Sequence, residues 1–362
     1  MKNYFLLFIL IILSRPVFAS EIIEFYNGIR YLGMGDTMVA VANDETALAV
    51  NPAALGKLRD FYGTILDPEV EINKNYNEIY RNMAFTQPFR LSDVIPSVVA
   101  DPSTYYSVRG QMMPSFVARN FGIGFLMKYN LHAEANAAGT AVDTFYREDF
   151  AMLLGYNLRL FDGRVKIGFT GKVISRIEVN DPALDPTQDL SIPALGTAGI
   201  AKEGTGVGAD VALMLAGPWT YIPTITAVVR DVGGTKFDKA NNVRLSTATT
   251  NPDQINQDID VGMAIFPIHT NYVRSTWALE YRGLVSGTTE TDKGKLVHAG
   301  MEFNFGDVFF LRAGYNQRYL TGGAELASER FQFQLATYGE EIGTGTSYRE
   351  DRRYVLKFAF RF

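Results

Sequence analysis

The chain has 362 residues, with 34 Lys and Arg against 39 Asp and Glu, a formal net charge of −5 and no cysteine. An acidic balance gives no electrostatic grip on nucleic acid, which is excluded as a partner. The missing thiols exclude disulfides, Cys-ligated metals and a lipid-modified N-terminal Cys.

The first residues have the layout of an export signal. Lys2 is the positive start, Tyr4 to Leu13 the apolar run, and Val17-Phe18-Ala19 the small-residue cleavage pattern, so residues 1–19 are expected to be removed after Ala19. A spanning helix needs roughly twenty apolar residues, about twice this run. No later stretch of the chain reaches that length either. Any membrane residence must therefore be achieved with strands.

Residues 20–58 are rich in small residues and turn formers: Gly33-Met34-Gly35-Asp36, then Val39 to Asp44, then Ala47 to Val50 running into Asn51-Pro52-Ala53. Ala and Gly suit packing inside a crowded lumen. Asp36 or Asp44 is placed to cap a short helix, and Asn51-Pro52 to stop one before the chain enters a barrel wall. The expectation is a plug, or hatch; the alternative is a flexible periplasmic tail, which would not need so many apolar residues.

From there a period of two recurs. Phe121, Ile123, Phe125, Met127 and Tyr129 oppose Gly122, Gly124 and Lys128, and Phe150 to Leu160 alternates with Ala151, Gly155, Asn157 and Arg159. Beyond the tight turn at Asp162-Gly163, Val165, Ile167, Phe169 and Val173 oppose Lys166, Gly168, Thr170 and Lys172. Trp277, Leu279 and Tyr281 face away from Glu280 and Arg282, and Phe331, Phe333 and Leu335 from Gln332 and Gln334. A soluble barrel could not hold all these rings inside, whereas rings toward lipid and charges toward a wet lumen accommodate both sets.

Strands are predicted near 59–66, 105–118, 121–134, 143–160, 163–178, 206–217, 221–231, 257–267, 273–284, 295–305, 307–316, 319–327, 329–340 and 351–362, about fourteen in all. The fold class is an all-β transmembrane antiparallel barrel over 59–362. Residues 68–104, which do not alternate, are read as an extracellular insertion with a short helix at Leu91 to Ala100 around Pro96. Short joins are expected at one end of the barrel and long loops at the other.

The inward-facing candidates are Arg109, Lys128, Arg159, Lys166, Lys172, Arg230, Glu280, Arg312, Lys357 and Arg361. Their bland explanation is a solvated or mutually paired interior; the sharper one is a dedicated ligand site. Of the three histidines, His132, His269 and His298, none has a second His at zinc spacing, and there is no Gly-x-Ser-x-Gly element. Gly204 to Gly208 enters a strand rather than a helix, unlike a nucleotide loop. Neither a metal, a cofactor nor catalysis is expected.

The chain ends on an unbroken alternation in which Tyr354, Leu356, Phe358, Phe360 and Phe362 share one face. This ending resembles the signal that outer-membrane barrels present to their assembly machinery, carried here by Tyr354, Phe358, Phe360 and Phe362. The Gly33-Met34-Gly35 lead and the Asn51-Pro52-Ala53 turn resemble the N-terminal signature of FadL-type outer-membrane transporters of hydrophobic compounds and of the related PorV-type barrels. That resemblance implies an outer-membrane location, contact with lipid, and a hatch including Gly33, Gly35, Asp36, Asp44, Asn51, Pro52 and Ala53. It also implies passive uptake of hydrophobic small molecules such as long-chain fatty acids. The PorV-type alternative is binding of secreted substrates or of a secretion complex.

Overall fold

The computed structural model describes residues 21–59, 61–76, 88–238, 243–288, 292–343 and 347–361; the expected export signal and Phe362 lie outside them. Seventeen strands form one antiparallel sheet that closes through pairing of the last strand, β17 (Glu350–Arg361), with β1 (Tyr62–Leu66) and β2 (Glu69–Asn73). Two pairs, β1 with β2 and β3 (Tyr106–Met112) with β4 (Ser115–Ala118), are halves of interrupted strands, and β10 (Phe237–Asp238) is a two-residue addition to β8 (Ala201–Ala216). The wall therefore has fourteen staves.

Each interruption falls on a proline, which has no N–H for the ladder. Asp67-Pro68 separates β1 from β2, and Met113-Pro114 separates β3 from β4. The neighbouring staves still engage the break, since Pro68 and Pro114 carbonyls accept from Phe358 N at 3.2 Å and Phe125 N at 3.0 Å. The structure corrects the expected insertion at 68–104. Glu69 to Asn73 belongs to the wall, with Val70 and Ile72 outward and Glu69, Glu71 and Asn73 inward and buried. Two carboxylates in five residues hide this strand from a hydrophobicity reading.

The phase of alternation is as expected. Phe125, Phe150, Met152, Leu154, Phe169, Trp277, Leu279 and Phe333 are exposed on the outer surface, while Lys128, Asp149, Lys172, Asp210, Glu280 and Glu302 are buried inside. Short joins at 119–120, 161–164, 217–223, 266–272, 306–308 and 328–330 define one end. Positive φ at Asn120, Asp162, Gly163, Gly306 and Asp307 fits the tight reversals there. Exposed Phe161, Trp219, Tyr221 and Tyr272 ring that end at the level where aromatic side chains prefer a membrane–water boundary. The opposite end carries the long loops, with two departures: β14 (Phe309–Asn316) and β15 (Tyr319–Ala327) are joined there by Gln317 and Arg318 alone, and residues 136–141 form a second short join.

Strands β5 (Phe121–Ala135), β6 (Val142–Leu160), β7 (Val165–Leu184) and β8 have 15, 19, 20 and 16 residues, whereas crossing a bilayer takes about 9–11. Their long-loop ends project past the apolar band. There the outward faces of Leu131, Tyr146, Ile177 and Val179 are covered by protein.

Two short lumenal helices, α1 (Ile29–Gly33) and α2 (Ala47–Val50), precede the wall in the chain; the cover comes from α3 (Leu91–Ala100), α4 (Ile192–Thr197) and Leu245 to Ala248. Leu91, Val94, Ile95 and Val98 form one face of α3 at helical spacing and are all buried. The loops thus build a second apolar core on the outside of the protruding wall.

Candidate functional site

Residues 21–58 fill the lumen. Glu21 lies toward the long-loop end, where its carboxylate pairs with Arg353 at 2.7 Å and His132 at 2.5 Å. From there the chain descends to the short-turn end at Lys57 and Leu58. This buried, hydrogen-bonded path excludes the flexible-tail alternative.

The first half, to Thr37, is held mainly by charge. Arg30 pairs with Glu302 at 2.7 Å and with Asp44 at 3.0 Å, and Arg312 also pairs with Glu302 at 2.7 Å. Arg282 pairs with Asp36 at 2.6 Å and with Glu280 at 2.7 Å, while Glu280 accepts from the backbone N–H groups of Met38 at 2.7 Å and Val39 at 2.9 Å. Thr321 accepts from Gly35 N at 2.8 Å and donates to Gly33 O at 3.0 Å. Gly35, at φ +67°, lies directly against the wall, where a Cβ would overlap Ala299 O and the Tyr315 backbone. The facing wall residues Gly300 and Gly314 are equally bare, and a Cβ on either would overlap Met34 or Gly35.

The second half is seated by apolar packing. Met38, Leu48, Leu55 and a series of alanines pack on the inward-facing Leu126, Leu153, Ile174, Met214 and Val228. Neutral hydrogen bonds fix its register: Thr170 donates to Leu48 O at 3.0 Å, Asn157 to Ala53 O at 3.2 Å, and Asn51 to Thr226 at 3.0 Å. Asn51 ends α2 in an extended conformation, and its side chain caps the following 3-10 helix, Pro52–Lys57, by accepting from Ala53 N at 2.9 Å. Asp44 accepts from Thr46 N at 3.0 Å just ahead of α2. Asp36 caps nothing; its carboxylate belongs to Arg282.

The inward candidates fall into two groups. Most are paired with other charges or with the segment. Arg109 pairs with Glu69 at 2.9 Å and with Glu71 at 2.5 Å, and Arg230 with Asp260 at 2.5 Å. Lys172 bridges Asp210 and Asp231 at 2.8 and 2.9 Å, Lys357 pairs with Asp67 at 2.9 Å, and Arg361 pairs with Glu45. Lys128 donates to Glu24 O at 2.6 Å and Asn27 Oδ1 at 2.5 Å. His298 Nδ1 contacts Gly35 O at 3.1 Å.

Arg159 and Lys166 form the other group. They line a cavity of about 450 Å³ at the short-turn mouth together with Lys57, Arg59 and Arg119, which the sequence reading missed. On the outer surface, Tyr354 and Phe358 are exposed, and Phe360 packs on Phe331 at 5.1 Å between centroids.

In fold, this fourteen-stave antiparallel barrel matches solved structures of hydrocarbon channels and of a FadL homologue. The Pseudomonas putida toluene transporter TodX superposes with a TM-score of 0.56 at 11% identity, covering 96% of this chain and 99% of its own. The Ralstonia pickettii toluene transporter TbuX does so with 0.51 at 14% identity, covering 93% and 98%, and a Pseudomonas aeruginosa FadL homologue with 0.53 at 8%, covering 95% and 99%. No protein-family model and no curated protein matches the sequence.

Proposed function

We propose that the protein is an outer-membrane channel for passive entry of small hydrophobic molecules, long-chain fatty acids among them, and that residues 21–58 gate it. The observation that carries this reading is the apolar strip on the inside of the wall. Leu126, Leu153, Ile174, Met214 and Val228 face the lumen, where a water-filled pore would carry polar side chains. The segment covers that strip, so its displacement would uncover an apolar trough leading toward Met214 and Phe266 at the short-turn mouth.

The shared fold with channels described as toluene and hydrocarbon transporters supports the same reading. Purified protein in liposomes is expected to admit oleate or toluene faster than empty liposomes, and deletion of residues 21–56 to change that rate. Absence of uptake for both compounds together with indifference to the deletion would overturn the proposal. Co-purification of stoichiometric secreted protein from native membranes would favour the PorV-type alternative instead.

A further inference from the structure

The cavity at the short-turn mouth is lined by five cations, Lys57, Arg59, Arg119, Arg159 and Lys166, and by no Asp or Glu among the described residues. Elsewhere in the lumen most cations, Arg109, Lys172, Arg230, Arg282 and Arg312 among them, are matched by carboxylates, and Lys128 is held by carbonyl and amide oxygens. Here none of the five forms an ion pair with a described residue. Lys57 donates to Ala40 O at 3.3 Å and sits over the Phe266 ring at 4.9 Å, Lys166 donates to Gly163 O, and Arg159 Nε is buried with no hydrogen-bond partner. An unpaired buried guanidinium N–H is costly, and several like charges around one cavity raise that cost unless an anion joins them.

The rest of the lining is uncharged, and apolar apart from Asn43 and Thr224. Met214, Ala216, Ile222 and Phe266 form one side, and the cavity lies at the level of the exposed Trp219 and Tyr221.

We propose that this mouth is a binding site for a phosphate head carried on an apolar chain, whose double negative charge answers several cations at once. Arg159 and Lys166 hold the head from the wall, Lys57 from the lumenal segment, and the chain lies against Met214 and Phe266. The guanidinium of Arg159 offers paired N–H groups in the fork geometry that oxyanions accept. This assignment goes beyond the uptake reading and does not depend on it, because binding is read without transport.

The test is calorimetric titration of the full-length protein in a neutral detergent with dodecyl phosphate, with dodecanol as the uncharged control. Saturable binding of dodecyl phosphate and none of dodecanol is expected. The double variant Arg159→Gln/Lys166→Gln should weaken that binding by about ten-fold or more, as loss of two charge-assisted contacts requires. Arg274→Gln, which removes a cation paired with Asp307 at another short turn, should leave it unchanged.

Inorganic phosphate as competitor separates two supporting outcomes: displacement means a free oxyanion suffices, and no displacement means the chain is required. The proposal is overturned if dodecyl phosphate does not saturate, if dodecanol binds equally, or if the double variant, still migrating as a folded barrel on unheated gels, binds as the parent does.

Discussion

Asp67 and Met113 close the wall at the point where two adjacent staves both break: the Asp67 carboxylate accepts from Met113 N at 2.6 Å while its other oxygen pairs with Lys357 at 2.9 Å. Asp67→Ala should strand a buried ammonium and a buried N–H together. A loss of about 3–5 kcal/mol is expected, with a smaller loss for Asp67→Asn, which retains an acceptor. Urea unfolding in lipid vesicles checks this; equal midpoints for parent and Asp67→Ala would contradict it.

The seat of Gly35 against Gly314 admits no side chain. Gly314→Val keeps good strand propensity and should leave the barrel assembled, but it forces the segment off the wall. Ion conductance across a planar bilayer is expected to rise, with cleavage near Met34 by added protease. Conductance equal to the parent's would show that the segment does not seal the pore.

If cargo follows the apolar strip, polar groups there must obstruct it. Leu153→Gln with Met214→Gln places two amides on the lumenal face, where polar residues are tolerated by the barrel. Uptake of labelled oleate into liposomes should fall by about ten-fold, since each unpaired amide costs an apolar ligand on the order of 1–3 kcal/mol. Unchanged uptake would remove the strip from the route.

A long loop at the other end carries its own clamp. The Arg318 guanidinium donates to both oxygens of Asp292 and stacks over Tyr348 at 4.3 Å. Hydrogen bonds from Arg318, and then from Gly294 N, hold the Asp292 carboxyl below the usual carboxylate range against a smaller opposing effect of burial. With the folded value depressed, the clamp's contribution is complete above the unfolded pKa of about 3.9 and disappears as pH falls through the folded value. Hydrogen exchange of residues 292–296, corrected for intrinsic rates, should be flat from neutrality to about pH 5 and accelerate below about pH 4. Asp292→Asn should exchange fast throughout; protection surviving in that variant would contradict the assignment.

Much of the wall was legible because alternation is a local property. Phe121 to Tyr129, Phe150 to Leu160 and Tyr354 to Phe360 each declare their outward face within one strand. β2 escaped because its inward glutamates find partners in Arg109 and Arg353 on neighbouring strands, and pairing across strands is not written locally.

The same limit hid the outer core. Leu131, Tyr146 and Ile177 continue the lipid-facing phase of their strands, and only the excess strand length hints that protein, not lipid, covers them. At the mouth, Arg159 and Lys166 were visible as inward positions. Lys57 and Arg59 lie where the lumenal segment runs into the wall and Arg119 in the join between β4 and β5, and only the fold brings them together with Arg159 and Lys166. Their clustering beside short joins was the available signal.

The lumenal segment is gripped unequally on its two sides. Against β12 (Val273–Tyr281) through β15 it is held by charges and backbone groups that water can take over; against β5 through β9 (Thr224–Arg230) it is held by apolar surface whose exposure costs roughly 25 cal/mol per Å². Wetting is therefore cheap along one arc of the circumference and expensive along the other. A disturbance that loosens the segment should first admit solvent as a crescent beside Arg30 and Arg282, with the greasy arc acting as the hinge on which the rest swings.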